Sequence, residues 1–204
     1  MTNEDNGERN GNDFADHVYQ PAEDSALLAD AACEGIDAGQ RVLDVGTGSG
    51  YVAARAAETG ARVVGSDFNP HACQQAREND VEVVRTDLVS GFAECVFDVV
   101  TFNPPYLPTK PEERSDDWME RALSGGETGR AVITPFVDAV SRVLRPGGVV
   151  FVLVSSLTGL DEVEVRARKA GFETEEVAEE SHFFERLVVL KLVAAGDPDR
   201  PRPP

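Results

Sequence analysis

Five short apolar runs recur along this chain, "RVLDVG", "ARVVGSD", "VEVVRTD", "FDVVTF" and "GGVVFVLVSS", and helix-patterned stretches separate most of them. This alternation limits the fold more than any other feature. Strands joined through helices form a parallel sheet, because each crossover must travel back along the sheet before the next strand begins. Right-handed crossovers then place helices on both faces. Such a sheet has one natural binding place, the crevice outside the carboxyl ends of its strands.

The helical stretches carry their own signals. "AEDSALLADAACEG" puts Leu27, Leu28, Ala31 and Ala32 on one face, as a helix requires. A Gly-rich turn leads into a helix from about Ser49 to Glu58, and "NPHACQQAREN" has Asn69 as cap and Pro70 at its first position. A later helix is expected to run to about Leu144 on Val132, Ile133, Phe136, Val137, Val140 and Val143. Pro135 sits badly inside it, unless the regular part begins at Thr134. "GLDEVEVRARKAG" is helical, and "FETEEVAEE" with "FFERLVVLKL" forms a closing antiparallel pair.

The expected fold is α/β: a seven-stranded, mostly parallel, Rossmann-like sheet with helices on both faces. At 204 residues the chain suits one domain, expected over 17–193. Residues 1–16 and 194–204 have few large apolar side chains and are expected to be mobile tails. The 23 residues from Leu107 to Gly129 are the one long irregular stretch, and loops of that length are often functional.

Composition bears on compartment and partner. No apolar run is long enough to cross a membrane, and the polar, acidic start does not resemble a signal peptide, so a cytoplasmic protein is expected. Cys33, Cys73 and Cys95 are far apart without a CxxC pair, which predicts buried free thiols and no metal site. The net charge is -18, and only three of the 19 basic residues are lysine. Such acidity disfavours nucleic acid but also marks salt-adapted surfaces, where screening within about 3 Å at molar salt blunts repulsion.

Four polar signals fall at the carboxyl ends of the expected strands. In "LDVGTGSG", Gly46, Gly48 and Gly50 allow a tight turn and close approach of a ligand. Tyr51 occupies the third-glycine place of the dinucleotide fingerprint, and no phosphate-loop lysine follows. A plain strand-to-helix turn is the alternative. Asp67, ending the second run, can accept both hydroxyls of a ribose or serve as a helix cap, although Asn69 suits that role better. Asp87, ending the third, can accept from an adenine amino group while Leu88 packs on the ring, or can be a turn residue. Together these describe a pocket for a nucleoside without phosphates. The fourth signal is "NPPY", Asn103 to Tyr106, where two prolines stop a buried strand.

In that order, "LDVGTGSG", "GSD", "RTDL" and "FNPPY" resemble the class I S-adenosylmethionine-dependent methyltransferases. The resemblance implies S-adenosylmethionine as cofactor, with Asp44 and Gly46 holding its methionine end, Asp67 the ribose, and Asp87 with Leu88 the adenine. "VYQPAEDSALL", "ALSGGETGR" and "RLVVLKL" further resemble the HemK-type branch of archaea and eukaryotes over nearly residues 17 to 192. Members modify the glutamine of a Gly-Gly-Gln loop in translation release factors and work with a small zinc-binding activator protein. By similarity Ser25 touches the cofactor, and Asn103 both cofactor and substrate. Gln20 stands where Glu is common, and Asp44 where Glu also occurs.

The Asn-Pro-Pro-Tyr stretch suits a planar nitrogen, whose delocalised lone pair makes it a poor nucleophile. Its two N–H groups can donate to the Asn103 side-chain oxygen and the Pro104 carbonyl, favouring loss of planarity in the transition state. Pro104 and Pro105 fix that carbonyl's direction, and Tyr106 offers a flat face. This chemistry fits glutamine and also N6 of adenine in DNA or RNA. The resemblance leaves protein lysine open as a further acceptor, although a tetrahedral amine needs less help from Asn103. The chain has no basic, aromatic-lined groove, which favours a protein substrate. Finally, "VEVVRTD" is expected at a sheet edge, where Val81, Val83 and Val84 could receive a strand of the activator.

Overall fold

The structure, a computed structural model, describes residue 14 and residues 16–113 and 117–194. The expected tails therefore lie outside the described residues, apart from Phe14, Asp16 and Ala194. In chain order the elements are α1 (Glu23–Cys33), β1 (Arg41–Val45), α2 (Tyr51–Ala57), β2 (Arg62–Asp67), α3 (Pro70–Glu78), β3 (Val83–Arg85) and β4 (Phe97–Phe102). They continue with α4 (Trp118–Leu123), α5 (Ile133–Val140), β5 (Leu144–Ser155), α6 (Leu160–Lys169), β6 (Phe172–Ser181) and β7 (Arg186–Ala194).

Among the described residues these strands form one seven-stranded sheet in the order β3-β2-β1-β4-β5-β7-β6. The first five are parallel neighbours, and β7 runs antiparallel to both β5 and β6. The strand order reverses between β1 and β4, so the crevice at their carboxyl ends is the switch point of the sheet. Leu28, Ala32, Val52 and Ala56 bring α1 and α2 onto one face, against Phe151 and Val189. Ile133, Phe136 and Val137 of α5 and Val163 and Ala167 of α6 cover the other. Phe136 packs on Phe102 with ring centroids 4.4 Å apart, which anchors the end of β4 just before Asn103. No helix among the described residues is long and apolar enough to cross a membrane.

Several expectations need correction. The third strand has only three residues. Val81 leaves the ladder and is buried against Ala53 and Ala76, so apolar packing wins over strand propensity there. The helix expected to reach Leu144 ends at Val140, and Leu144 opens β5. Pro135 is the third residue of α5, inside the first turn, where the backbone N–H has no intrahelical acceptor to lose. The stretch from Leu107 to Gly129 is not wholly irregular: it holds a 3-10 turn, Pro111–Glu113, and α4. Phe183 and Phe184 fall in the turn before β7 and not in the strand. Of the cysteines only Cys73 is buried; Cys33 and Cys95 are half-buried.

Candidate active site

The glycine turn leaves β1 at the switch point. Gly46 has φ +60°, and a Cβ there would meet the Phe102 ring at 3.3 Å. Gly50, at φ +86°, would bring a Cβ to 2.9 Å from Val81 Cγ2. Left-handed backbone and close packing both demand glycine at these two positions.

Asp44, the penultimate residue of β1, is 2% exposed. Thr47 Oγ1 donates to it at 2.6 Å and Thr101 Oγ1 at 2.8 Å. Burial pushes its pKa up to about 6, the two hydroxyls pull it down, and the Asp67 charge pushes it up again. Asp67 ends β2 and accepts from Gly48 N–H at 3.0 Å and Asn69 N–H at 2.8 Å. Its pKa is likewise raised, chiefly by burial, against the pull of those backbone donors. A carboxylate has about four acceptor positions, so both Asp67 oxygens keep capacity for further donors. The cap of α3 is Asn69, which accepts from His71 N–H at 2.9 Å.

Asp87 lies two residues beyond the end of β3, not at the strand's last position. Leu88 follows at φ +46°, a left-handed conformation that costs a branched side chain free energy. A cleft of about 300 Å³ takes in Ser25, Asp44, Gly46, Asp67, Asp87 and Leu88, and also Asn103 and Pro105. A second cavity of about 40 Å³ is lined by Asp24, Asn103, Pro104, Pro105 and Tyr106. Asn103 and Pro105 border both.

At that junction the Asn103 carboxamide is held from one side only. Its Nδ2 donates to Asp24 Oδ2 at 3.0 Å and to Ser25 Oγ at 3.4 Å. A carboxylate only accepts, so the amide nitrogen faces Asp24 and the oxygen faces away. Asn103 Oδ1 is buried without a hydrogen-bond partner among the described residues. An orphan acceptor of this kind costs about 1–3 kcal/mol unless a donor arrives.

Asp24 carried no role in the sequence reading, yet it organises the smaller cavity. It is 4% exposed and accepts from Ser25 N–H at 2.6 Å, Ser25 Oγ at 3.1 Å and Tyr19 OH at 3.1 Å, besides Asn103. Burial first, and then the Asp24 charge, raises the pKa of the Tyr19 and Tyr106 hydroxyls, so both stay protonated. Its position in "PAED", at the start of a helix whose other face is apolar, was the available signal.

The cleft also has a roof that sequence reasoning missed. Trp118 and Arg121 of α4 line it, with the guanidinium 5.3 Å from the Trp118 ring centroid. Phe68 and His71 meet Trp118 at 6.0 and 6.5 Å, and His17 stacks on His71 at 4.6 Å. Among the described residues no cluster of three or more His, Cys, Asp or Glu side chains could hold a metal ion.

The family model described as a methyltransferase domain matches residues 42–126, which include the glycine turn, β2, β3 and the Asn-Pro-Pro-Tyr stretch. A Methanocaldococcus jannaschii chain, provisionally named a protein N5-glutamine methyltransferase, is 38% identical over 181 residues, 85% of this chain and 90% of that one. The human methyltransferase HEMK2 is 36% identical over 188 residues, covering 79% of this chain and 87% of its own length. Among solved structures, the E. cuniculi Mtq2–Trm112 complex, described as responsible for methylation of the eRF1 termination factor, matches with a TM-score of 0.73. The identity is 31%, over 87% of this chain and 98% of the matched one. With the sheet order, the switch-point cleft and these relatives in agreement, the chain belongs to the HemK-type class I S-adenosylmethionine-dependent methyltransferase family, in the branch that holds the archaeal and eukaryotic relatives above.

Proposed function

We propose that this protein transfers a methyl group from S-adenosylmethionine to the side-chain amide nitrogen of the glutamine in the Gly-Gly-Gln motif of a translation release factor. The observation that carries this reading is Asn103: its Oδ1 is buried and unpartnered, its Nδ2 is held by Asp24, and it borders both cavities. The substrate class is supported by the M. jannaschii relative, named for N5-glutamine transfer, and by the E. cuniculi complex that acts on eRF1.

The cleft fits the cofactor chemically. Three carboxylates, Asp44, Asp67 and Asp87, border it, which suits a ligand that is cationic at one end and carries hydroxyl and amino donors at the other. Asp44 and Gly46 are assigned to the methionine end, Asp67 to the ribose, Asp87 with Leu88 to the adenine, and Ser25 to the wall beside Asn103. When bound, the cofactor supplies an electrophilic sulfonium methyl. The chain's own residues prepare the acceptor. Asn103 Oδ1 and the Pro104 carbonyl each accept one amide N–H, which draws the nitrogen lone pair out of conjugation. Asp24 fixes the carboxamide, and the Tyr106 ring supports the planar group. Tyr106 and Tyr19 stay protonated, so neither is a base; the cationic product amide releases its proton to water.

The same reading extends to a partner, a small zinc-binding activator seated on β3. This strand is a sheet edge. Glu82 C=O accepts from Gly65 N–H, and Thr86 N–H donates to Asp67 C=O. The backbone groups of Val83 and Arg85 therefore point away from β2, free to pair with an added strand apart from the Val83 carbonyl, which accepts from Arg77 Nη2 at 3.3 Å. Val84 is 39% exposed, whereas Val81 is buried and takes no part. Val84→Lys is expected to weaken co-purification with the activator and leave the isolated fold intact. Unchanged co-purification would place the activator elsewhere.

The decisive experiment for the function follows the label. Purified protein with the activator and methyl-labelled cofactor is offered release factor or nucleic acid. Label in the release factor, lost when its motif glutamine is replaced, is the expected result. Label in nucleic acid alone overturns the reading.

A further inference from the structure

The turn between β6 and β7 is built unlike an ordinary hairpin tip. Turns favour Gly, Asn, Asp and Pro, but this one carries Phe183 and Phe184, 92% and 84% exposed. The two rings pack edge-on, with centroids 4.6 Å apart and planes at 86°. His182 N–H donates to Glu185 C=O at 2.8 Å, which closes the turn beneath them. Single exposed apolar residues are common on soluble proteins; a paired, projecting set at a turn calls for an explanation.

Topology puts this pair beside the candidate active site. Ser155, the last residue of β5, pairs with Leu187, so the turn emerges at the carboxyl edge of the sheet. Asn103 leaves the same edge, because Phe102 pairs with Val152 on the neighbouring strand. Ser155 Oγ donates to Glu185 Oε2 at 2.7 Å, and Arg186 N–H donates to Ser156 Oγ at 3.0 Å, which pins the base of the turn to the end of β5. The Glu185 charge also contributes to the raised pKa of Tyr19 and Tyr106, so it lies near the smaller cavity. Leu157, 43% exposed in the adjoining turn, adds apolar surface.

The surroundings are acidic. Glu176, Glu179 and Glu180 lie on β6 and Glu185 in the turn, while Arg186 is engaged by Glu176 and Glu179. A phosphate backbone is repelled by such a field, and a protein surface with basic residues around an apolar patch is attracted.

We infer that Phe183 and Phe184 form a docking ledge for the protein substrate, seating an apolar patch ringed by basic residues that flanks the methyl-accepting loop. The inference rests on the glutamine-transfer reading above and adds to it a second point of contact, outside the catalytic cavity. It explains how a 40 Å³ acceptor cavity, too small to bind a macromolecule by itself, selects one: aromatic side chains that become fully desolvated dominate such contacts.

The test uses the full chain with its activator. The double variant Phe183→Ser/Phe184→Ser is assayed on intact release factor and on a short peptide spanning the Gly-Gly-Gln loop. KM for the intact factor is expected to rise about 10- to 100-fold, as for two hot-spot aromatics, with kcat at saturation kept. Kinetics on the peptide and binding of S-adenosylhomocysteine are expected to stay unchanged, and Phe183→Leu/Phe184→Leu to recover most of the loss. An unchanged KM on the intact factor overturns the ledge, as does an equal loss on the peptide. A dimer of the unaltered protein that the double variant dissolves would assign the rings to self-association instead. Failure of the unaltered protein to methylate release factor at all is a different result, and it removes the glutamine reading itself.

Discussion

The carboxylates that line the two cavities and the Asn103 carboxamide at their junction are supplied with hydrogen bonds in opposite ways. In the larger cleft two of the three carboxylates already have donors: Asp44 holds the hydroxyls of Thr47 and Thr101, and Asp67 holds two backbone N–H groups. In the smaller one Asp24 is equally well supplied, but at the junction Asn103 keeps a buried oxygen with no partner among the described residues. Satisfied carboxylates are fixed in place and bind through spare lone pairs and charge. An unsatisfied acceptor is poised for a donor that must come from outside. Under the proposed function, the difference separates holding a ligand from activating one, and Asn103 is where the two tasks touch.

The largest expected effect breaks the activating side. Asn103→Ala should lower methyl transfer at least about 100-fold, comparable to removal of one transition-state hydrogen-bonding group. Circular dichroism should be unaltered, and S-adenosylhomocysteine affinity should fall less than tenfold. If cofactor affinity collapses along with turnover, the two cavities are not separate in function. Asp67→Ala probes the holding side and should show the reverse pattern. It removes acceptors worth about 1–3 kcal/mol, read by calorimetry as a loss of about 5- to 150-fold in affinity, while turnover at saturating cofactor survives. Unchanged affinity would remove Asp67 from the cofactor's contacts.

The same contrast governs what could be read from the sequence. The sheet and the strand-end residues of the cleft were legible because strand ends, glycines and acidic residues follow one another in a fixed topological logic. Asn103 to Tyr106 stood out because two prolines cannot continue a central strand. Asp24 did not stand out, since its importance lies in a hydrogen bond to a residue 79 positions away. Helix α4 was hidden for a different reason. It has six residues and none is buried, so it shows no apolar face; Trp118 and Arg121 serve the cleft and not the core. The short β3 reflects competition, with Val81 drawn into the packing of α2 and α3 and away from the strand.

The smallest expected effect concerns the charge on Asp44, and it sharpens the comparison because this carboxylate is satisfied yet still uncomfortable. Burial raises its pKa to about 6 despite two hydroxyl donors. A raised carboxyl pKa means that the folded, ligand-free protein binds the proton more readily than the unfolded chain. The stabilising contribution of protonation is therefore complete below about pH 4, near the unfolded value, and is lost as pH rises through about 6. At pH 7 the buried charge opposes folding, and the ammonium group at the ligand's amino-acid end would relieve it. Affinity for S-adenosylhomocysteine should accordingly be flat above pH 7 and about tenfold weaker at pH 5, where Asp44 must first give up its proton. Asp67, also raised by burial, acts in the same direction, so the control is Asp44→Asn. That variant should flatten the pH profile, bind more weakly at pH 7, and raise the melting temperature of the ligand-free protein, because its side-chain oxygen still accepts from a threonine hydroxyl without a buried charge. A pH-independent affinity in the unaltered protein, or a melting temperature lowered in the variant, would show that Asp44 sits comfortably ionised and waits for no cation.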